Sequence, residues 1–351
     1  MQVIKDSILS AIGNTPLVRL TRVFQDLHFN LYAKIESLNP GGSAKDRPAI
    51  SILKHGIETR SIRPDTVIIE SSSGNMGIGL AMACSYFGLK FICVVDPKTT
   101  TRNIQLLEAY GAQVDMVTEP HPETGEYLQA RLDRVRSLLE TIKHSFWPNQ
   151  YQNEYNPIAY HQTMSEILSA LGRVDYLFCA TSTCGTLRGC AEYIRDRNLQ
   201  TKIFAVDAEG SVIFGGRKAP RLIPGHGAAV RPPLFRPGLA DECVHVSDLD
   251  CVIGCRRLVR DEAILAGGSS GAVITAVDKT KHRIPKDSVC VAILSDRGER
   301  YLDTIYSAAW VKENFGDAIG IGEEEPVCLA GAGSVIKTNL REESLCPSPS
   351  I

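Results

Sequence analysis

The chain has 351 residues, of which 44% are hydrophobic and 22% are charged, and its formal net charge is −2. This length allows two domains or one large α/β domain. The near-neutral charge offers no basic surface for nucleic acid or an acidic membrane, so we expect small-molecule substrates. We find no signal-peptide pattern at the N-terminus and no apolar segment of transmembrane length, which predicts a cytoplasmic protein without a membrane partner.

Eleven cysteines are present, an odd number that shows no metal-site spacing. Several of them, including Cys93, Cys179 and Cys290, lie in apolar runs, where a free thiol acts as a small hydrophobic side chain. We therefore predict reduced, structural thiols and no metal site. Cys184 is the exception to watch, because it lies in a loop to which we assign a binding role below.

A glycine-rich loop at residues 39–48 follows an apolar, β-prone stretch at residues 31–37 and opens a helix. Ser43 is predicted to cap this helix, and Pro48 falls in its first turn, where a missing N–H is tolerated. Lys45 then lies in the positive field of a helix N-terminus, which favours a neutral amine. Such an amine can form an imine with an aldehyde. An ordinary solvated lysine would show the same local pattern.

Short apolar runs alternate with helical periodicity along most of the chain. Strands are predicted at residues 66–70, 91–96, 113–117, 175–180, 202–206, 243–246 and 289–294, and helices at 74–87, 102–110, 126–142, 157–171, 187–195 and 248–264. This alternation predicts an α/β fold with mostly parallel sheets and ligands at the carboxyl ends of the strands. Residues 210–237 are predicted to form a long loop and residues 314–351 a flexible C-terminal extension.

Three loops rich in glycine and serine precede helices. The loop at residues 71–75 suits a carboxylate, and the loop at residues 182–186 suits a phosphate monoester, because backbone N–H groups and hydroxyls meet at a helix N-terminus. The third, at residues 267–271, opens a helix predicted from residue 272. Each loop, taken singly, is explained by helix capping. Together with a reactive lysine they match pyridoxal 5′-phosphate, whereas the glycine spacing fits neither a Walker loop nor a dinucleotide site.

These motifs resemble the cysteine synthase and cystathionine β-synthase family, the fold-type II pyridoxal-phosphate enzymes, from residue 12 to residue 298. The resemblance implies a fold like that of the tryptophan synthase β chain, with the active site between two α/β domains. Residues 1–40 and 147–313 would form the larger, cofactor-binding domain, and residues 41–146 the smaller, mobile, substrate-binding domain. It also implies a homodimer with pyridoxal 5′-phosphate as its cofactor.

The resemblance assigns roles to individual residues. Lys45 would be the Schiff-base lysine and the base for the α-proton, Asn75 would bond the ring hydroxyl, and Ser269 would face the pyridine nitrogen. The cofactor phosphate would be held by Ser182, Thr183, Cys184, Gly185 and Thr186, and the substrate carboxylate by Ser72, Ser73 and Gln150. A neutral Ser269 makes the ring a weaker electron sink than an aspartate would, which favours β-elimination to an α-aminoacrylate over transamination.

Two departures from the common family pattern point to a subgroup. Met76 replaces a usual threonine. His226 replaces an aliphatic residue; it is either an acid–base group or a loop histidine that makes hydrogen bonds, and we favour the second interpretation.

Five further motifs resemble enzymes that join O-phospho-L-serine to L-glutamate. Their product is N-(2-amino-2-carboxyethyl)-L-glutamate, a precursor of L-2,3-diaminopropionate for a siderophore or a related metabolite. In that subgroup Arg131 would neutralise the leaving phosphate, with Tyr151 and Ser182 as donors; a solvated helix arginine is the alternative.

Other activities fit the sequence less well. A cysteine synthase or cystathionine β-synthase would run the same chemistry with sulfide or homocysteine, but Met76 and the five subgroup motifs favour an amine. A non-catalytic relative on the same fold would not require Lys45. An NAD-dependent oxidoreductase would require the glycine fingerprint that the chain lacks.

Overall fold

A computed structural model describes residues 4–25 and 27–316 of the chain. Most of the predicted C-terminal extension therefore lies outside the described residues. The described part ends with a helix, α10 (Ala308–Phe315), which overlaps the first two residues of that prediction.

The larger of two sheets has six strands. They are β1 (Leu17–Leu20), β2 (Asn30–Ile35), β7 (Tyr176–Ala180), β8 (Lys202–Ala208), β9 (Glu242–Val246) and β10 (Val289–Leu294). Their order across the sheet is β1-β2-β10-β7-β8-β9. β1 is antiparallel to β2, and the other neighbours are parallel. The short β1 was not predicted.

The smaller sheet has four parallel strands. They are β3 (Val67–Ser71), β4 (Lys90–Val95), β5 (Gln113–Met116) and β6 (Ser145–Phe146), in the order β5-β4-β3-β6. The prediction of an α/β fold with mostly parallel sheets is confirmed. The domain boundaries proposed from the resemblance stay a prediction.

Helices connect the strands and cover both sheets. They are α1 (Asp46–Glu58), α2 (Asn75–Phe87), α3 (Thr101–Ala109), α4 (Tyr127–Thr141), α5 (Tyr155–Ile158), α6 (His161–Leu171), α7 (Gly185–Asp196), α8 (Asp248–Glu262) and α9 (Gly268–Thr280). Because helices pack on both faces, strands such as β4 are almost continuously apolar. Among the described helices, none is long and apolar enough to cross a lipid bilayer.

Two predicted helices have different boundaries in the structure. The helix predicted at residues 157–171 is two helices, α5 and α6, because the chain turns at Tyr160. This side chain is buried, and its hydroxyl donates to Ala44 O at 3.2 Å. The helix predicted from residue 272 begins four residues earlier, at Gly268, so the serine pair of that loop lies in the first turn of α9.

A buried ionic network underlies the start of α1. Arg47 donates to both carboxylate oxygens of Glu36 at 2.7 and 2.8 Å and to both of Glu166 at 2.9 and 2.8 Å. Lys34 Nζ donates to Glu166 Oε2 at 2.6 Å. Burial raises the pKa of Glu166, but the bonds and charge of Arg47 and the bonds from Lys34 and Asn14 N prevail and lower it to about 2. Two positive and two negative charges therefore compensate each other beneath the helix start.

Candidate active site

The loop before α1 is held against the segment that follows β10. Ala44 N donates to Ser295 O at 2.8 Å, and Ser43 pairs with Asp296 in an isolated β-bridge. The helix N-cap residue is Lys45, and Ser43 Oγ accepts from Lys45 N at 3.2 Å. The predicted cap at Ser43 is therefore wrong, because this residue is committed to the bridge. Lys45 nevertheless sits at the helix N-terminus, as the loop pattern predicted.

The Lys45 side chain is half-buried at the start of α1. It forms no hydrogen bond or ion pair with the part of the chain that the structure describes. Burial raises the pKa of the Tyr160 hydroxyl, and it is opposed by the positive charge of Lys45, a bond with Thr186 and the charge of Arg47. Tyr160 thus places Lys45 beside one end of the predicted phosphate loop.

Asn75 begins α2 and is held by two charged residues. Its Nδ2 donates to Asp296 Oδ2 at 2.8 Å, and its Oδ1 accepts from Arg300. Tyr301 OH also donates to Asp296 Oδ2, at 2.5 Å. The amide is therefore fixed at the edge of the loop that carries Lys45, since Asp296 also pairs with Ser43.

The predicted carboxylate loop follows β3. Ser72 Oγ accepts from Gly77 N at 2.9 Å, so this hydroxyl caps the first turn of α2. Ser73 is only partly buried, and the buried Ser71 hydroxyl has no hydrogen-bond partner among residues 4–25 and 27–316. Gln150 is buried, and its Nε2 approaches Ser71 O at 3.4 Å. The structure thus brings Ser72, Ser73 and Gln150 together at one end of β3.

The predicted phosphate loop joins β7 to α7. Cys184, in the left-handed conformation (φ 66°), is the N-cap residue of α7, and Thr183 Oγ1 accepts from Gly185 N at 3.3 Å. Ser182 Oγ donates to Gly227 O at 3.2 Å. The Cys184 thiol is buried, and burial together with a nearby carboxylate raises its pKa to about 12. Only its backbone is therefore available to an anion.

Gly185 shows why this loop needs a glycine. A Cβ there would overlap the amide of Asn156. Asn156 in turn donates to Gln150 O at 2.7 Å, so the phosphate loop and the segment that carries Gln150 are packed against each other. A side chain at position 185 would separate them.

The two serines at the start of α9 differ in their surroundings. Ser270 is fully buried, and its Oγ accepts from Ser295 N at 3.0 Å. Ser269 is partly buried, and its hydroxyl makes no hydrogen bond among the described residues. Ser270 is therefore structural, and Ser269 is the serine with a hydroxyl left for a ligand. An amine at Lys45, a helix N-terminus for a phosphate, a fixed Asn75 amide and this hydroxyl together fit pyridoxal 5′-phosphate.

Arg131, on α4, points toward the carboxyl ends of β3 and β4. Its Nε lies 3.1 Å from Asp96 Oδ2, and the two side chains are only 11% and 6% exposed. Its positive charge also acts on Tyr151 and Glu70. The solvated-arginine alternative is therefore wrong, because this guanidinium is buried against acidic and phenolic groups.

Glu70 was not singled out in the sequence. It is buried at the end of β3 and accepts from Trp147 Nε1, Gln150 N and Ser71 N at 3.2, 3.2 and 2.9 Å. Burial raises its pKa to about 7, although these hydrogen bonds and the charge of Arg131 act to lower it. It fixes the segment that carries Gln150 to the carboxylate loop.

His226 lies in a loop tied to the phosphate loop, because Gly227 N donates to Thr181 O at 2.7 Å. The imidazole is 2% exposed, and neither ring nitrogen has a hydrogen-bond partner in the described ranges. The interpretation of a hydrogen-bonded loop histidine is therefore wrong. Burial, with a smaller effect from Arg221, lowers the pKa of His226 to about 4 from a usual 6.5, so the ring is neutral at physiological pH.

We expect His226 to make folding stability depend on pH. Between pH 6.5 and 4 the unfolded chain binds a proton that the folded protein excludes, so stability falls as pH falls. From pH 7 to 5, wild type should lose about 2 kcal/mol more than His226→Ile in urea unfolding. A variant of the exposed His282, His282→Ala, should show the wild-type dependence of the free energy of unfolding on pH. Equal slopes for wild type and His226→Ile would contradict this expectation.

Tyr160, Asp296 and Arg300 also belong to the site, although none of them was assigned a role from the sequence. Asp296 lies near the end of the stretch that resembles the family, and Arg300 lies in one of the five subgroup motifs; these positions were the only available signals. Their partners are distant in the chain: 116 residues separate Tyr160 from Ala44, and 221 separate Asn75 from Asp296. Only the folded chain shows these contacts.

The chain belongs to the family of pyridoxal-phosphate dependent enzymes, whose family model matches residues 8–296. Its cofactor is pyridoxal 5′-phosphate. The chain is a β-replacement-type enzyme of the cysteine synthase group within that family.

Solved structures support this placement. An O-ureido-L-serine synthase is 30% identical, with a TM-score of 0.80 over 89% of this chain and 96% of that chain. A hydrogen sulfide-producing enzyme from Fusobacterium nucleatum is 34% identical, with a TM-score of 0.81 over 86% and 99%. An O-acetylserine dependent cystathionine β-synthase from Helicobacter pylori is 34% identical, with a TM-score of 0.81 over 87% and 100%.

Proposed function

We propose that this protein is an N-(2-amino-2-carboxyethyl)-L-glutamate synthase, similar to the siderophore enzyme SbnA. The net reaction replaces the phosphate of O-phospho-L-serine by the amino group of L-glutamate and releases inorganic phosphate. The observation that carries the proposal is the buried guanidinium of Arg131, 3.1 Å from Asp96 Oδ2. A buried cation next to the carboxylate loop suits a dianionic leaving group better than acetate.

The residues of the site divide the work of this reaction. When bound, pyridoxal 5′-phosphate supplies an aldehyde that condenses with amino groups and a ring that withdraws electrons from the α-carbon. Lys45 Nζ takes the α-proton and later returns one. Ser72, Ser73 and Gln150 hold the α-carboxylate of the substrate. Asn75, Ser269 and the loop at residues 182–186 hold the cofactor.

Phosphate departure needs positive charge and donors on the β-carbon side of the substrate. Arg131 supplies the charge, and Tyr151, whose pKa is raised by burial so that it stays a donor, lies within its field. Ser182 adds a hydroxyl. Asp96 lies against Arg131 Nε, so the phosphate would share the guanidinium through its other N–H groups and leave Asp96 paired.

The test is a matrix of two activated serines and two nucleophiles. We expect O-phospho-L-serine with L-glutamate to release phosphate and the N-linked product in equal amounts, as measured by phosphate assay and mass spectrometry. O-acetyl-L-serine with sulfide should be turned over at least about 10-fold less efficiently, which corresponds to 1.4 kcal/mol of discrimination. The reverse preference would overturn the proposal.

Arg131→Gln should lower kcat/KM for O-phospho-L-serine by about 100-fold, because loss of one charged partner of a buried anion costs more than 2 kcal/mol. Any residual turnover of O-acetyl-L-serine should change far less. Arg134→Gln is the matched control, since Arg134 lies on the same helix in a surface pair with Asp115. An equal loss with both activated serines would exclude a role specific to phosphate.

The second candidate is an O-acetylserine-dependent enzyme that uses sulfide or homocysteine. The similarity to a cystathionine β-synthase and a hydrogen sulfide-producing enzyme favours it. Met76 departs from the common pattern of such enzymes, because its apolar side chain is buried in the core and offers the substrate carboxylate no hydroxyl. The homodimer implied by the resemblance stays a prediction, which sedimentation equilibrium would test.

A further inference from the structure

Three side chains with metal-ligating atoms meet on the two last strands of the larger sheet. Asp207 on β8 is the register partner of His245 on β9, and Cys243 lies two residues before His245. Alternate residues of a strand point to the same face, so Cys243 and His245 lie side by side. The ligating atoms of all three lie within 4.8 Å of one another, and Cys243 Sγ is 4.0 Å from His245 Nε2.

Asp207 provides an independent observation that points to a ligand at this cluster. It is fully buried, and its Oδ2 has no hydrogen-bond partner in the part of the chain that the structure describes. Its other oxygen accepts from Thr181 Oγ1 and from Ala208 N, both at 3.0 Å. These two bonds fix the carboxylate with one oxygen free, an arrangement typical of a metal ligand held by its surroundings.

We propose that Asp207, Cys243 and His245 form a binding site for one Zn²⁺ ion. A thiolate, an imidazole and a carboxylate are the ligands that zinc prefers, and three protein ligands leave one position open. Bonds of about 2.3 Å to sulfur and about 2.0 Å to nitrogen and oxygen require the three ligating atoms, which lie within 4.8 Å of one another, to draw closer around the ion. The two negative ligands neutralise the ion.

The site adjoins the phosphate loop without sharing its residues. Asp207 holds Thr181, whose carbonyl accepts from Gly227 N, and Gly227 O accepts from Ser182 Oγ. Cys243 is the one described cysteine that is not buried, so an ion from solution can reach the cluster. Sequence spacing did not reveal the site, because its third ligand comes from a different strand.

The test is a zinc titration of the full-length protein with its cofactor bound, in competition with a chromophoric chelator. Wild type should bind one tight equivalent, and Cys243→Ser and His245→Ala should each weaken it by at least about 100-fold. Cys346→Ser, in the C-terminal segment, and His282→Ala should leave it unchanged. Equal binding by wild type and both ligand variants would overturn the proposal.

A second measurement does not depend on folded variants. X-ray absorption at the zinc edge of the one-equivalent wild-type complex should show one sulfur at about 2.3 Å and the remaining nitrogen or oxygen ligands at about 2.0–2.1 Å. A shell with no sulfur, or with two or more, would exclude this site. The unchanged visible band of the bound cofactor in Cys243→Ser would show that the variant is folded.

Discussion

Replacing Lys45 by alanine is expected to lower the rate of β-replacement by at least about 10³-fold. The variant loses two functions of Lys45: the amine that condenses with the cofactor aldehyde and the acid–base group for the α-proton. Turnover of O-phospho-L-serine with L-glutamate, followed by phosphate release, is the primary measurement. The visible band of the bound cofactor should also change, because its aldehyde would lack its lysine partner.

Lys54→Ala is the matched control for this experiment. Lys54 lies on the same helix, α1, but is exposed, and its loss should leave turnover within about twofold, as for surface changes generally. Because the Lys45 side chain makes no bond to the described residues, Lys45→Ala in the cofactor-free protein should change the free energy of unfolding by less than about 1 kcal/mol. Turnover by Lys45→Ala within tenfold of wild type would remove Lys45 from the reaction.

Replacing Arg47 by methionine is expected to lower the free energy of unfolding by about 3 to 5 kcal/mol, because it leaves buried charge without its partner. The Glu36 carboxylate is fully buried, and Arg47 supplies two of its hydrogen bonds. Glu166 would keep only Lys34 as a charged partner among the described residues. Urea unfolding of wild type and variant measures the difference.

Arg136→Met is the control for the loss of an arginine as such. Arg136 pairs with Asp133 on the surface of α4, with side chains that are 53% and 41% exposed. Its removal should cost less than about 1 kcal/mol. Arg47→Lys should fall between, because it keeps the charge but cannot reproduce the four bonds that the guanidinium makes to the two carboxylates. If Arg47→Met cost no more than Arg136→Met, the buried network would contribute nothing net.

The effect of Arg47 also reaches the active site, because it lies two residues after Lys45. The network joins β2, the start of α1 and α6, and Asn14 N adds a bond to Glu166 Oε1 at 2.8 Å. This contact ties Asn14, near the start of the stretch that resembles the family, to the network beneath the helix that presents Lys45.

The sequence by itself determined the α/β class, the order of most elements and the loops that converge on the site. Local patterns suffice here, since periodicity defines strands and helices, and parallel strands bring their carboxyl-end loops to one edge. Helix boundaries were less certain: the break at Tyr160 depends on a contact with Ala44, and the cap at Ser43 is replaced by a bridge to Asp296.

Only the tertiary structure decided which side chains are paired, buried or left without a partner. Arg47 and Glu166 are 119 residues apart in the chain, and Asn75 and Asp296 are 221 apart, so no local pattern links them. Burial likewise made Arg131 a desolvated cation and His226 a neutral imidazole, because both depend on atoms from other elements. Spacing along a chain predicts elements, whereas charge and pKa depend on the neighbours that folding supplies.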